Sequence, residues 1–237
     1  MRDLTEFLNS MDWWGLVGLL VSAVAALFCI TFHELSHGFV AYRLGDPTAK
    51  NAGRLTLNPI RHIDPVGLLM MLVAKVGWAK PVPVDMRYFK HPKRDMAITA
   101  LAGPLSNFLL AFLALAVSSL IYHFTRLGNT ALVVLCFLSN LAVLSTGLGI
   151  FNLIPISPLD GSKVLFAFLP DKAYLTILRY ERYVMILVIV LTMAGTFQGP
   201  LSRLILMALQ GLCSLVGYPL GAVFATQDIS SLIRLFS

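Results

Sequence analysis

Residues 14–42 read WGLVGLLVSAVAALFCITFHELSHGFVAY. The stretch is apolar almost throughout and long enough to cross a hydrocarbon core, which takes about 20 residues of helix. Its last third breaks the pattern with His33, Glu34 and His37, an H-E-x-x-H sequence. On a helix, residues four apart share a face, so His33 and His37 can hold one metal ion together. Glu34 can reach a water at that metal as a general base. Charged side chains cost roughly 2.5–3.5 kcal/mol each at the centre of a span, so three ionisable groups in one apolar helix need a partner that offsets the cost. The plainer alternative is a histidine pair that hydrogen-bonds between helices, with a paired Glu.

The rest of the chain has the same character. Of its 237 residues, 57% are hydrophobic and 13% charged, and the mean hydropathy is +0.79. Soluble domains carry about 25% charged residues, so a disordered chain is excluded and the composition argues strongly against an ordinary soluble domain. The composition also argues against an extended nucleic-acid surface, despite the net charge of +6, and no nucleic-acid partner is expected. Cys29, Cys136 and Cys213 lie in apolar stretches at no metal-ligand spacing and form no disulfide framework. The first apolar run lacks the basic start and cleavage site of a signal peptide. The chain reads as one integral membrane domain over 1–237. Core spans occupy 13–154, a Pro-Leu-Asp-Gly segment 155–170, and accessory helices 171–237.

Further candidate spans are 96–123, 130–154, 183–198 and 204–225. Residues 66–74 are apolar but too short to cross, which suits a re-entrant or interfacial element. The cations test this division. If 66–74 stays on one side, 15 of the 18 Lys and Arg fall together, with Arg2, Arg126 and Arg203 opposite. If it crosses, the division is far less lopsided, and the positive-inside rule favours the first case. The expected fold is an all-α polytopic membrane protein of five to six transmembrane helices, five being the preferred number. The N-terminus is outside, the C-terminus cytoplasmic, and a short re-entrant or β-hairpin element separates the first two spans. Within that connection, Gly77-Trp78-Ala79-Lys80-Pro81-Val82-Pro83-Val84 alternates in polarity and reads as an edge strand or hairpin, where proline is tolerated.

A catalytic zinc takes three protein ligands and keeps a position for water. Asp160, in Asn152-Leu153-Ile154-Pro155-Ile156-Ser157-Pro158-Leu159-Asp160-Gly161, is the strongest candidate for the third. The two prolines break the helix there, and irregular backbone at membrane depth is tolerated only where it is buried or lines a cavity. Asp160 could also cap a helix over 161–169, and the two roles do not exclude each other. Asn152 opens the break, and Asn107 follows Ala102-Gly103-Pro104-Leu105-Ser106. Either amide could stabilise an oxyanion or hold substrate backbone, or could bond between helices. Gly103 and Pro104 allow close helix approach. His62 reads as a loop organiser bonded to Asp64 or to backbone, and His91 and His123 as interfacial.

These motifs together resemble the site-2 proteases, the intramembrane zinc metalloproteases of peptidase family M50, in their compact bacterial form without PDZ or CBS domains. The resemblance rests on HELSH at 33–37, NPIRHIDP at 58–65, GWAKPVPV at 77–84, AGPLSN at 102–107 and NLIPISPLDG at 152–161. It implies a three-helix catalytic core and one zinc ion on His33, His37 and Asp160, with Glu34 as base and acid. It also implies a substrate or transition-state role for Asn152 and a structural or substrate role for Asn107. The 77–84 loop, with Trp78, Lys80 and Pro81, would help admit or pair with substrate. The implied partners are a transmembrane protein substrate and the lipid bilayer. The implied setting is the bacterial plasma membrane, with the active site toward the cytoplasm. Two other classes stay open: a zinc transporter or sensor using the same triad with Glu34 dispensable, and a non-catalytic chaperone of single-pass helices that tolerates loss of His33.

Overall fold

The computed structural model describes residues 13–67, 79–125 and 128–226. The described residues are helical and contain no strand. Helix α1 (Trp13–Arg43) is followed by a one-turn helix α2 (Thr48–Asn51) and 3-10 turns at Pro59–His62 and Met86–Tyr88. Then come α3 (Pro92–Phe124), α4 (Asn129–Asn152), α5 (Asp160–Phe166), α6 (Asp171–Met193), α7 (Gln198–Val216) and α8 (Leu220–Ala225). Among the described residues, four helices are long and apolar enough to cross a membrane: α1, α3, α4 and α7. At 1.5 Å per residue, the 31 residues of α1 and 33 of α3 exceed a hydrocarbon core of about 30 Å, so their ends project beyond it.

Helices α1, α3 and α4 pack mutually, and α7 lies against α3 and α4. The shared core uses small side chains, among them Ala25 and Cys29 of α1, Ala111 and Ala114 of α3, and Ala142 of α4. Small residues let backbones approach where no hydrophobic effect draws helices together. Polar pairs add to this. Ser22 Oγ donates to Asn140 Oδ1 at 3.0 Å, and Cys29 Sγ lies 3.0 Å from Ser145 Oγ. Such bonds average about 0.6 kcal/mol each in membranes. On α3 the outward stripe is Leu105, Leu109 and Leu113, all at least half exposed, as expected of a lipid-facing surface. The inward stripe is Thr99, Gly103, Asn107 and Ala111.

Two expectations are corrected. Residues 183–193 of the expected span 183–198 belong to α6, which begins at Asp171 and ends at Met193, and Gln198 already opens α7. Arg179, Glu181 and Arg182 in its first half keep it out of the set of candidate spans. The stretch 204–225 is two helices. Gly217 closes α7 in the left-handed conformation (φ 67°), Tyr218 N donates to Cys213 O at 3.1 Å, and Pro219 bars continuation. The direction of α7 also differs from expectation. Ser119 Oγ donates to Val216 O at 2.7 Å and His123 Nε2 to Gly217 O at 3.0 Å, so the end of α7 sits beside the end of α3. Ile205, near its start, faces Gly147 near the end of α4. α7 therefore runs parallel to α3 and antiparallel to α4, the reverse of the alternating order that five spans require.

Among the described residues no hairpin is formed. Ile63 and Ala79 form a single antiparallel bridge, and Lys80 N donates to His62 O at 2.9 Å. Among the described residues, 80–85 then run on without a partner strand. Trp78 and most of the 66–74 segment lie outside the described residues.

Candidate active site

The first turns of α3, the last turns of α1 and the end of α4 lie at one end of the bundle. His37 is six residues from the end of α1 and Thr99 seven residues into α3, roughly 9 and 10 Å from those ends. The two meet there: His37 Nδ1 donates to the Thr99 carbonyl at 2.8 Å. A carbonyl only accepts, so Nδ1 carries the proton and the Nε2 lone pair points elsewhere. It points at His33 Nε2, 3.1 Å away, and at Asp160 Oδ2, also 3.1 Å away. His33 Nε2 is 3.0 Å from the same Oδ2. Three ligand atoms thus form a near-equilateral triangle, and all three residues are buried.

The donor set fits a zinc ion. Zinc–ligand bonds of about 2.0–2.1 Å in a tetrahedron place neighbouring ligand atoms roughly 3.3–3.4 Å apart, close to the edges seen here. Two imidazole nitrogens and a carboxylate oxygen turned to one point are satisfied together by a cation. His37 also has the outward N–H bond to a carbonyl that metal-bound histidines usually have.

Asp160 reaches this point because the chain turns sharply after α4. Pro155 and Pro158 end the helical run, and α5 restarts at Asp160 itself. The carboxylate caps no helix, since the N-cap position is Leu159 and Asp160 lies in the first turn. The turn is tight: a Cβ on Gly161 would lie 2.5 Å from the Leu153 carbonyl carbon. Lys163 Nζ lies 3.2 Å from Oδ1, leaving Oδ2 for the histidines. Sequence reading did not single out Lys163, although its i, i+3 spacing from Asp160 on a short helix was available as a signal.

Glu34 lines the same cavity of about 340 Å³, together with Val82, Asn152 and Lys163. Its Oε2 accepts the Val82 N–H at 2.9 Å. Segment 80–85 therefore passes beside the triad. It is fixed at both ends, by Lys80 N on His62 O, by Arg54 Nη2 on Lys80 O at 2.5 Å, and by Asp85 N on Asp46 Oδ2 at 2.7 Å. Asp46 is fully buried and also accepts from Thr48 N and the Thr48 hydroxyl. Hydrogen bonds to charged groups contribute about 1.5–3 kcal/mol, so Asp46→Ala is expected to loosen this segment. Amide exchange at Val82 and Asp85 should quicken at least tenfold, with zinc content unchanged.

Of the remaining predicted residues, Asn152 lines the cavity, with Nδ2 donating to Leu148 O at 3.0 Å. Pro81 lines it as well, while Lys80 is exposed and lies one residue beyond. Asn107 is fully buried behind His33, with Nδ2 3.2 Å from His33 Nδ1, and is not among the cavity-lining residues. His62 donates Nε2–H to Thr56 O at 2.9 Å and braces the loop through backbone.

The sequence profile of peptidase family M50 matches residues 121–195. YwhC of Bacillus subtilis (strain 168), whose name gives it provisionally as a zinc metalloprotease, is 38% identical over 178 residues, 73% of this chain and 81% of the relative. Rip2 of Mycobacterium tuberculosis (strain ATCC 25618 / H37Rv), named in the same way, is 31% identical over 192 residues, 77% of this chain and 70% of the relative. The zinc metalloprotease MJ0392 of Methanocaldococcus jannaschii is 28% identical over 167 residues, 70% of this chain and 38% of the relative. No solved structure gives a significant match.

Proposed function

This chain belongs to the site-2 proteases of peptidase family M50 and is a zinc metalloprotease, and we propose that it cuts a peptide bond within or beside a transmembrane segment of a membrane-protein substrate. In this reading His33, His37 and Asp160 hold the zinc ion and Glu34 is the general base. The observation that carries it is the convergence of three ligand atoms within 3.1 Å of one another in a cavity that Glu34 also lines. Zinc, when bound, supplies Lewis-acid polarisation of a carbonyl and acidification of a water. The Glu34 carboxylate would take a proton from a water in the cavity and deliver it to the departing amine nitrogen. One N–H of Asn152 is committed to its own helix, and its amide can offer the other to the developing oxyanion. Lys163 keeps Asp160 turned toward the histidines.

Residues 80–85 determine how a substrate can be held. Pro81 and Pro83 have no N–H, and those of Lys80, Val82 and Asp85 are already bonded. This edge can therefore offer acceptors but few donors. A substrate helix unwound at the site exposes N–H groups that need acceptors in a dry environment, and the carbonyls here, with Lys80 and Pro81 at the entrance, meet that need. Strand addition in its ordinary form, with donors and acceptors exchanged alternately, is not available without displacing Val82 from Glu34.

The direction of α7 favours four crossings, with both termini outside. The cation division keeps its lopsidedness, since Arg203 moves to the active-site side and Arg234 to the other, again 15 of 18. That side is then cytoplasmic, in a bacterial plasma membrane.

Reconstitution in lipid vesicles with a single-pass substrate tests this function. The zinc-loaded protein should produce two fragments cut within or next to the span. Stripping the metal with a chelator should stop cleavage, and one zinc per chain should restore it. An intact substrate alongside fully zinc-loaded protein would instead favour a transporter or sensor.

A further inference from the structure

His37 has its tautomer fixed by a backbone carbonyl, but the outer nitrogen of His33 meets only a side chain. Asn107 is fully buried on α3, and its amide sits 3.2 Å from His33 Nδ1. With Nδ2 toward the ring, Nδ1 must accept, so in the neutral imidazole the proton moves to Nε2. That proton would point into the triangle formed with His37 Nε2 and Asp160 Oδ2. The same orientation leaves Asn107 Oδ1 buried without a hydrogen-bond partner, which costs about 1–3 kcal/mol. With the amide turned, Oδ1 accepts Nδ1–H, the carbonyl oxygen is satisfied, and the Nε2 lone pair faces the same point as that of His37.

We infer that Asn107 is the positioning residue for His33, an acceptor that fixes the imidazole with its proton on Nδ1 and so creates the second nitrogen ligand of the zinc site. On this inference Asn107 does not touch substrate, in keeping with its full burial and its absence from the cavity lining. The pairing is built into the register of two helices. His33 and His37 are one turn apart on α1, and Thr99, Gly103 and Asn107 are successive turns of one face of α3. The carbonyl of Thr99 serves the lower ring, the amide of Asn107 the upper, and Gly103 makes room for both. One helix thereby sets both tautomers, once through backbone and once through a side chain. Loss of such an outer partner usually weakens metal binding 10–100-fold.

The inference rests on His33 being a zinc ligand, so His33→Ala is included. The experiment measures zinc affinity of purified full-length protein by chelator competition, and the absorption spectrum of the cobalt(II)-substituted form. Asn107→Asp keeps the length and offers acceptors only; Asn107→Leu offers nothing. We expect the Asp variant to bind zinc within a few-fold of the parent and to keep its cobalt spectrum. The Leu variant should lose about 10–100-fold with an altered cobalt spectrum. If the Asp variant, eluting as the parent does in detergent, loses tenfold or more, the amide acts as a donor and the inference is overturned. A folded Leu variant with parental affinity overturns it as well. Should the Leu variant not fold, the Asp variant decides alone. If His33→Ala binds zinc like the parent, the ligand assignment itself is wrong, and that outcome is separate from the others.

Discussion

Replacing Glu34 by Gln is expected to abolish peptide cleavage while leaving one zinc bound per chain. Glu34 is one residue from His33 on α1, yet it stands outside the triangle of ligand atoms, and no ligand bond is lost on substitution. The amide of Gln keeps the size of the carboxylate and can retain the hydrogen bond from Val82 N, since its carbonyl oxygen accepts as the carboxylate does. What it cannot do is take a proton from water. General acid–base groups contribute about 10²–10⁴-fold. Glu34 is asked to act in both halves of the reaction, so the loss should lie at the upper end. The measurement is fragment yield from the vesicle-reconstituted substrate, with zinc determined on the same sample. Zinc lost together with activity would move Glu34 into the metal's own ligand set. Full turnover would exclude it as the base.

The parts of the candidate site that were legible in the sequence are those written as side chains at helical spacing. H-E-x-x-H on an apolar helix implies two ligands and a base, and the proline break before Asp160 implies irregular backbone able to present a third. The parts that were not legible are contacts made by backbone or by absence of a side chain. Thr99 contributes a carbonyl that any residue at that position would have, and Val82 contributes an N–H. Gly103 suggested close packing, but not that the neighbours would be the two histidine rings. Asp46 organises segment 80–85 from far along the chain, and nothing in its local pattern points to Asp85.

The topology shows a different limit. Five crossings with Arg203 outside, and four with Arg203 inside, both put 15 of the 18 cations on one side. Charge counting is blind to the choice because Arg203 and Arg234 exchange places. What separates the two readings is the contact of Val216 and Gly217 with the far end of α3, a long-range fact that hydropathy does not contain. The charges of α6 were a usable signal. Arg179, Glu181 and Arg182 stand next to the proposed span 183–198, and with them inside the helix too few apolar residues remain to cross a membrane.

A methyl group at position 103 should damage the metal centre almost as much as loss of a ligand. Thr99, Gly103 and Asn107 face His33 and His37 across the α1–α3 interface, and a Cβ built on Gly103 would lie 2.5 Å from His37 Cε1 and 2.7 Å from His33 Cε1. These distances are too short for any real contact, so either the rings or the helices must move. The rings cannot swing freely, because each is held on its outer nitrogen by α3 itself, through the Thr99 carbonyl and the Asn107 amide. Nor can α3 back away at low cost. A second face of it packs on α4, where a Cβ at Gly149 would lie 3.3 Å from the Pro104 carbonyl oxygen and the Phe108 ring. The strain therefore falls on the triangle. A displacement of about 1 Å at a reacting centre can cost on the order of 10²-fold, and here both histidines would shift together. Gly103→Ala is expected to lower cleavage at least about 100-fold and to weaken zinc binding in chelator competition. Gly149→Ala, tighter than ordinary contact by only a few tenths of an ångström, should leave both within a few-fold. The two variants together separate damage to the site from general loosening of the bundle. Equal losses at 103 and 149 would mean that packing alone is being measured. A Gly103→Ala protein with parental zinc affinity would mean that the rings have room that their contacts with α3 do not suggest.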